Sequence, residues 1–415
     1  MTPSPARLHL AAAILIIMAG LALRFLPVFA VPDHLSIDEL LYIANVRMVE
    51  QVGPFDYPSI VHYYLQAQTG IDSVMLPPTR FVYIIAGWAC DSLFHLGPQV
   101  ALRCVAALFS SLTFLLSGIF AFRLAGPRFG LIVAALMAVA PMELMLAHRE
   151  LADGPFAFFA LLCLWLLWEN MQRPGRLGWL AIYSGALALM VLTKENAFFA
   201  AVGFIGILGA ASLFPRLGLG RPAWTTFAAT AAGGLLGLLV LICLAGSPQT
   251  LIHVYRLLVV KAEAMPFAYQ SGGGPWFRYI VDLMLVSPTV LLPAIGGIFA
   301  LRRDTPQGRH GIFLLLFILF SCAVMVNVRN GMNLRYATMW DMPLRFLAAG
   351  VILHIASSFR QTPRAPLFAA ILLLALVCGV EFHQYRLLFI RHDIGDPITQ
   401  YLMYATEIIR HSPQH

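Results

Sequence analysis

Two adjacent carboxylates, Asp38 and Glu39, open an apolar-periodic stretch just after a segment hydrophobic enough to cross a membrane. Ser36-Ile37-Asp38-Glu39 has the spacing of a capping box, in which Ser36 caps a helix and Glu39 reaches back to the Ser36 N–H. That gives Glu39 a structural explanation. Asp38 falls in the first helical turn, where the helix dipole favours its ionised form, and an ionised carboxylate at the lip of a membrane cavity suits removal of a proton from a hydroxyl. Three other short segments carry comparable chemistry. "HRELAD" crowds His148, Arg149, Glu150 and Asp153; "LTKEN" holds Lys194 and Glu195; "VRNGMNLRY" supplies Arg329, Arg335 and Tyr336. Ionisable groups this close to hydrocarbon are costly and functional by default. Acids, a lysine and arginines at similar depth would hold an anionic lipid headgroup and deprotonate something beside it. The plainer alternatives are dipole-compensating acids at helix starts for Asp38 and Asp153, and a self-neutralising Lys194–Glu195 pair.

The elements that position these residues follow from the composition. The chain has 415 residues, 60% hydrophobic and 11% charged, with mean hydropathy +0.80, against about 25% charged for a soluble domain. An all-α polytopic membrane protein is expected. The net charge of +7 reads as arginines at membrane boundaries, the topogenic signal, so no nucleic-acid partner is expected. Apolar runs fall at about 8–30, 99–122, 129–147, 155–169, 178–193, 197–214, 224–245, 283–301, 311–326, 338–357 and 366–381, which gives about eleven spans. The first is taken as a transmembrane helix, since it exceeds the apolar core of a signal peptide.

Connections bearing Arg7, Arg123, Arg128, Arg173, Arg176, Arg216, Arg221, Arg302, Arg303, Arg309, Arg360 and Arg364 alternate with the remainder, which makes them cytoplasmic. The N-terminus is then inside, and every segment of the first paragraph faces the exterior. Residues 1–381 form one transmembrane domain with long exterior loops at 31–98 and 246–282, and 382–415 form a short exterior segment. In that segment Asp396 and Pro397 predict a helix start. Both lysines, Lys194 and Lys261, lie on the exterior side, against the topological bias. The "SGGG" run at 271–274 reads as a hinge rather than a phosphate loop, and six scattered cysteines support neither a disulfide framework nor a zinc site. A divalent cation is an open question: Asp38, His148, Glu150 and Asp153 match no established ligand spacing.

These segments resemble the GT-C superfamily of polyprenyl-phosphate-sugar-dependent glycosyltransferases, in the branch of protein O-mannosyltransferases and lipid A aminoarabinose transferases. "IDELLYIANVRM" is similar to that family's first-loop helix, and "LPPTRFVYIIAGWACDSLFHLG" to its second amphipathic helix, which makes 79–96 interfacial. "HRELADGPFAFF" resembles its second acidic motif, "LTKENAFFA" its Leu-Thr-Lys turn, and "NLRYATMWDMP" its Arg-Tyr segment. The resemblance runs in order over about residues 1–360. It implies a GT-C fold and transfer of a single sugar from a polyprenyl-phosphate carrier to a hydroxyl of an envelope lipid, glycan or protein, on the exterior face of the inner membrane. Asp38, Glu39 and Asp153 become the catalytic carboxylates, with Asp38 as base or acceptor-positioning acid. Lys194, Arg335, Tyr336 and Arg80 become donor-phosphate ligands, and His148, Arg149 and Glu150 line the acceptor cavity. The family's lysine before the first-loop prolines is replaced by Arg80 after them, and "FDYPSIVHYYLQAQTGID" is additional. The absence of a Trp-Trp-Asp motif argues against an oligosaccharyltransferase. A transporter would place its charges near the midplane in repeated halves, and an O-antigen polymerase or ligase would carry its longest exterior loop late in the chain.

Overall fold

The computed structural model describes residues 5–30, 35–72, 75–220, 222–265, 268, 271–328, 331–359, 362 and 365–411; Arg221, Arg329, Arg360 and Arg364 fall outside them. Every regular element among the described residues is helical. The first apolar helix, α1 (Pro5–Phe25), leads into the long connection, which carries α2 (Ile37–Val52), α3 (Tyr57–Thr69) and α4 (Phe81–Phe94). The bundle continues with α5 (Pro98–Ala125), α6 (Pro127–Ala138), α7 (Pro141–Ala147), α8 (Asp153–Gln172), α9 (Leu177–Thr193), α10 (Ala197–Leu213) and α11 (Trp224–Ala245). After the second connection, with α12 (Pro248–Ala264), come α13 (Arg278–Val286), α14 (Pro288–Phe299), α15 (Pro306–Met325), α16 (Asp341–Ser358), α17 (Ala365–Tyr385) and α18 (Pro397–His411).

The chain is a multi-pass membrane protein. Among the described residues seven helices are long and apolar enough to cross a bilayer, or eight if the bent pair α6–α7 counts as one. The expectation of eleven spans is therefore not reached by length and composition. Three of the expected spans correspond to the shorter α9, α10 and α14. A 17-residue helix such as α9 reaches only about 25 Å, short of a hydrocarbon core of about 30 Å. The expected span 283–301 is broken at Ser287, where Pro288 starts a new helix, because proline has no N–H to continue the old one. α4 is likewise a 14-residue apolar helix, as expected for an interfacial element.

Pro141 also explains the 57° bend between α6 and α7. The carbonyls freed at that break receive a buried arginine: Arg24 donates to Met137 O at 2.9 Å and Ala138 O at 3.2 Å, and to Ser110 Oγ at 3.0 Å. Backbone groups at membrane depth need such partners. α9 and α11 meet through small residues. A Cβ on Gly233 would lie 2.6 Å from Ser184 O, and one on Gly237 2.7 Å from Val191 Cβ, so glycine alone permits this approach.

Candidate active site

The site begins with the capping box. The Ser36 N–H donates to Glu39 Oε2 at 2.7 Å, and the Glu39 N–H faces Ser36 Oγ at 3.4 Å. Glu39 is fully buried and also holds Arg149 through both oxygens, at 2.6 and 2.8 Å. Burial alone would raise its pKa; the Arg149 hydrogen bonds and charge, with the Ser36 contacts, outweigh that and hold it at about 2. The geometry thus commits the expected catalytic Glu39 to fixing the start of α2. Its neighbour Asp38, on the next helical position, is about one-third exposed and faces inward to Arg335 at 3.0 Å. The sequence suggested an unpaired acid; the structure pairs it across 297 positions.

Arg335 joins Asp38 to a buried pair. Its Nη1 lies 3.9 Å from Asp153 Oδ2, and Asp153 Oδ1 accepts from Lys194 Nζ at 2.5 Å. Lys194 is 4.7 Å from the centre of the Tyr336 ring, within cation–π range. Burial pulls the Lys194 ammonium below the ordinary lysine range, although Asp153 opposes the shift. Arg80 closes the group by a two-pronged contact with Glu195 and a hydrogen bond to the Tyr42 hydroxyl of α2. Lys194 and Glu195 therefore do not neutralise one another. Lys194 has an extended backbone (φ −164°, ψ 148°), and extended residues send successive side chains in opposite directions. Three cations (Arg80, Lys194, Arg335) face three carboxylates (Asp38, Asp153, Glu195). The Asp153–Lys194 pair is 2% exposed on both sides, whereas Arg335–Asp38 is 20% and 31% exposed. The outer pair is the more accessible of the two.

The other expected cavity residues turn elsewhere. Glu150 is buried against Arg103, which also reaches Val28 O at 3.0 Å. His148 Nε2 lies 2.9 Å from Leu23 O and must donate to that carbonyl, leaving Nδ1 to accept from the Tyr385 hydroxyl at 2.7 Å. The neutral ring fits these contacts, and burial favours it by lowering the pKa to about 4. Because the folded pKa is depressed, this contribution to stability is complete above about pH 6.5 and is lost as pH falls toward 4. Thermal melts across that window should fall for the wild-type chain and flatten for His148→Gln. Equal slopes would remove His148 as the cause. Asp38, His148, Glu150 and Asp153 do not converge, and among the described residues no group of three His, Cys, Asp or Glu side chains could hold a metal ion.

Arg335 is held in part by the short C-terminal segment. Asn333 Oδ1 accepts from the Arg335 N–H at 3.0 Å, and Asp396 Oδ2 accepts from the preceding Leu334 N–H at 2.8 Å. Asp396 is buried and also caps α18 through Thr399 N–H at 2.9 Å, as the Asp-Pro signal predicted. Arg278 ties this corner to the glycine run, donating to Ser271 O, to Gly273 O at 2.6 Å and to Thr399 Oγ1 at 2.6 Å. A Cβ on Gly274 would meet Arg278 Cδ at 2.9 Å, so Gly274 makes room for this arginine. Asp393 adds a second tie, to Arg149 at 2.8 Å. Asp396→Ser keeps one job of Asp396, since serine still caps a helix, and gives up two, because it is too short to reach Leu334 and carries no charge for Arg278, 3.6 Å away. It should weaken anion binding at Arg335 by about tenfold, the worth of one hydrogen bond anchoring a charged group. Full binding by the serine variant would make Asp396 a helix cap alone.

Residues 83–247 match the family described as "Dolichyl-phosphate-mannose-protein mannosyltransferase". Comparison with curated protein sequences gives no match. Solved structures are similar over nearly the whole chain. The structure of ArnT from Cupriavidus metallidurans in the apo state is 17% identical, with TM-score 0.53, covering 96% of this chain and 74% of that one. The same protein bound to undecaprenyl phosphate is 19% identical, with TM-score 0.51 and coverage of 96% and 74%. The Archaeoglobus fulgidus oligosaccharyltransferase in complex with Zn and sulfate is 13% identical, with TM-score 0.63. The match covers 97% of this chain but 56% of that one, so this chain spans little more than half of the archaeal protein's length.

Proposed function

We propose that this chain, a membrane glycosyltransferase of GT-C fold, moves one sugar from a polyprenyl-phosphate carrier to a hydroxyl of an envelope lipid, glycan or protein. The observation that carries the reading is the Asp38–Arg335–Asp153–Lys194 chain, with its exposed end at Asp38–Arg335. Arg335 and Lys194 bind the donor phosphate. When the phosphate takes Arg335, Asp38 loses its partner and is free to act as base. It removes the proton from the acceptor hydroxyl, whose oxygen attacks the sugar's anomeric carbon. The bond from that carbon to the phosphate oxygen breaks, and the polyprenyl phosphate leaves with the electron pair. Fixed cations are worth most against charge that develops in this way. Asp153 keeps Lys194 in place, and Arg80, spent on Glu195 and Tyr42, holds α2 against the Lys194 turn. Undecaprenyl phosphate bound by ArnT, a protein of this fold, supports the choice of carrier.

The arginine pattern supports an N-terminus in the cytoplasm and a site on the exterior face of the inner membrane. In that reading α9, α10 and α14 cross a thinned or partly shielded bilayer. Residues 1–381 form the transferase and 382–415 a strap that fastens Arg335 and Arg149. Mass spectrometry of envelope lipids and glycans from cells with and without this protein tests the reading. An acceptor lighter by one sugar in the deletion strain is expected; identical profiles would contradict it.

A further inference from the structure

The far end of the bundle carries a polar site that the transfer reaction does not use. α8 starts at Asp153, in the ionic cluster, and ends at Gln172, so its ends lie roughly 28 Å apart. At that far end a cavity of about 100 Å³ lies between the last turn of α8, the first turn of α15 and the Gly218-Leu219 loop, lined by Trp168, Gln172, Arg309 and His310 among others. One water occupies about 30 Å³ of liquid, so the space holds several waters or one small anionic group.

Its lining is unsatisfied. Trp168 is 8% exposed, and its indole Nε1–H is buried without a partner. His310 Nδ1 is also buried and unpartnered. Its ring stands edge-on to Trp168 at 5.6 Å. Orphaned buried polar atoms are rare, and here two belong to neighbours on one cavity. Arg309 enters none of the ion pairs found among the described residues. Gly218 (φ +67°) makes room for it, since a Cβ there would lie 2.6 Å from Arg309 Cδ.

These groups specify a ligand. Trp168, Gln172 and Arg309 offer hydrogens and a positive charge, so they call for several negatively charged oxygens. His310 Nδ1 adds one more buried polar atom without a partner. Water would meet the hydrogen bonds and leave Arg309 without a counter-charge. A phosphodiester brings one charge and two free oxygens. A phosphomonoester brings up to two charges and three strong acceptor oxygens, the better match to three donor side chains, one of them charged. We infer that this cavity binds a phosphomonoester group, on a membrane lipid or on a soluble phosphate compound, at the end of the molecule opposite the transfer site. Its position at helix ends, with Arg173, Arg176, Arg216, Arg302 and Arg303 on the flanking segments, is where basic pockets meet lipid headgroups.

The test uses the purified, delipidated full chain and native mass spectrometry with phosphatidic acid, a monoester, and phosphatidylglycerol, a diester. Phosphatidic acid should bind about tenfold more tightly. Trp168→Phe and Arg309→Gln should each weaken it by about tenfold, the loss expected for one charge-assisted hydrogen bond, and leave phosphatidylglycerol unchanged. Arg309→Gln should melt as the wild type does, since it lies at the cavity's edge, and Trp168→Phe should melt somewhat lower, since a smaller ring fills the buried indole's place, so its binding is compared below both melting temperatures. Displacement by inorganic phosphate would show that the phosphate group alone is recognised; phosphatidic acid binding that resists it would assign the site to a lipid. Equal binding of the two lipids, or full phosphatidic acid binding by Trp168→Phe, would overturn the inference and leave a water-filled gap.

Discussion

Asp38→Asn is expected to lose about 10²–10⁴-fold in turnover, the usual worth of a general base, while binding the donor at least as well as the wild-type chain. The second half of that expectation follows from the geometry. Asp38 holds Arg335 at 3.0 Å, so in the free enzyme it competes with the donor phosphate for the same guanidinium. Asparagine removes the competing charge and the base together. Donor affinity and turnover should therefore move in different directions, which simple misfolding would not produce. A variant that keeps more than about a tenth of turnover would take Asp38 out of the base role. Glu39→Gln should behave differently. Glutamine can still close the capping box, but Glu39 also balances the Arg149 guanidinium, so that variant should lose stability first and activity only through Asp38.

Lys194→Met should abolish donor binding and cost about 3 kcal/mol of stability, because it removes the nearer of two cations and leaves the buried Asp153 only Arg335, 3.9 Å away. The two losses have different causes and can be separated. Asp153→Asn in the same chain removes the stranded charge, so Lys194→Met with Asp153→Asn should recover most of the stability and none of the donor affinity. The residues touch, so this non-additivity is expected for stability. If the double variant also binds donor normally, Lys194 is a structural partner of Asp153 and the phosphate is held elsewhere. Lys194→Arg should be intermediate, since a planar fork cannot copy a point charge beneath the Tyr336 ring.

What the sequence made legible was local. The capping box was readable because its four residues are consecutive, and the helix at Pro397 because Asp396 stands directly before it. Pairings across the chain were not. Nothing near Asp38 names Arg335, and adjacency misled at Lys194-Glu195, where an extended backbone sends the two side chains to Asp153 and Arg80. The residues that anchor Arg335 were missed for the same reason. The available signals were the glycine run at 271–274 and the buried Asp396, and each has a sufficient local explanation of its own. Hydropathy and helix length part company where an apolar run forms a short or broken helix, as at α9, α10 and Ser287-Pro288, so the count of eleven rests on hydropathy alone. The fold class was secure because it rests on composition summed over the whole chain, where such local departures cancel.

The central claim is that the Asp38–Arg335 end of the ionic chain discharges a lipid-linked sugar. The direct measurement is incubation of the purified, reconstituted protein with a polyprenyl-phosphate sugar labelled in the sugar, plus an envelope extract as acceptor. Label should pass from the carrier to the acceptor fraction, free polyprenyl phosphate should appear in equal amount, and Asp38→Asn should stop both while still binding the carrier. A carrier returned intact by the wild-type protein, or discharged equally by Asp38→Asn, would contradict the account.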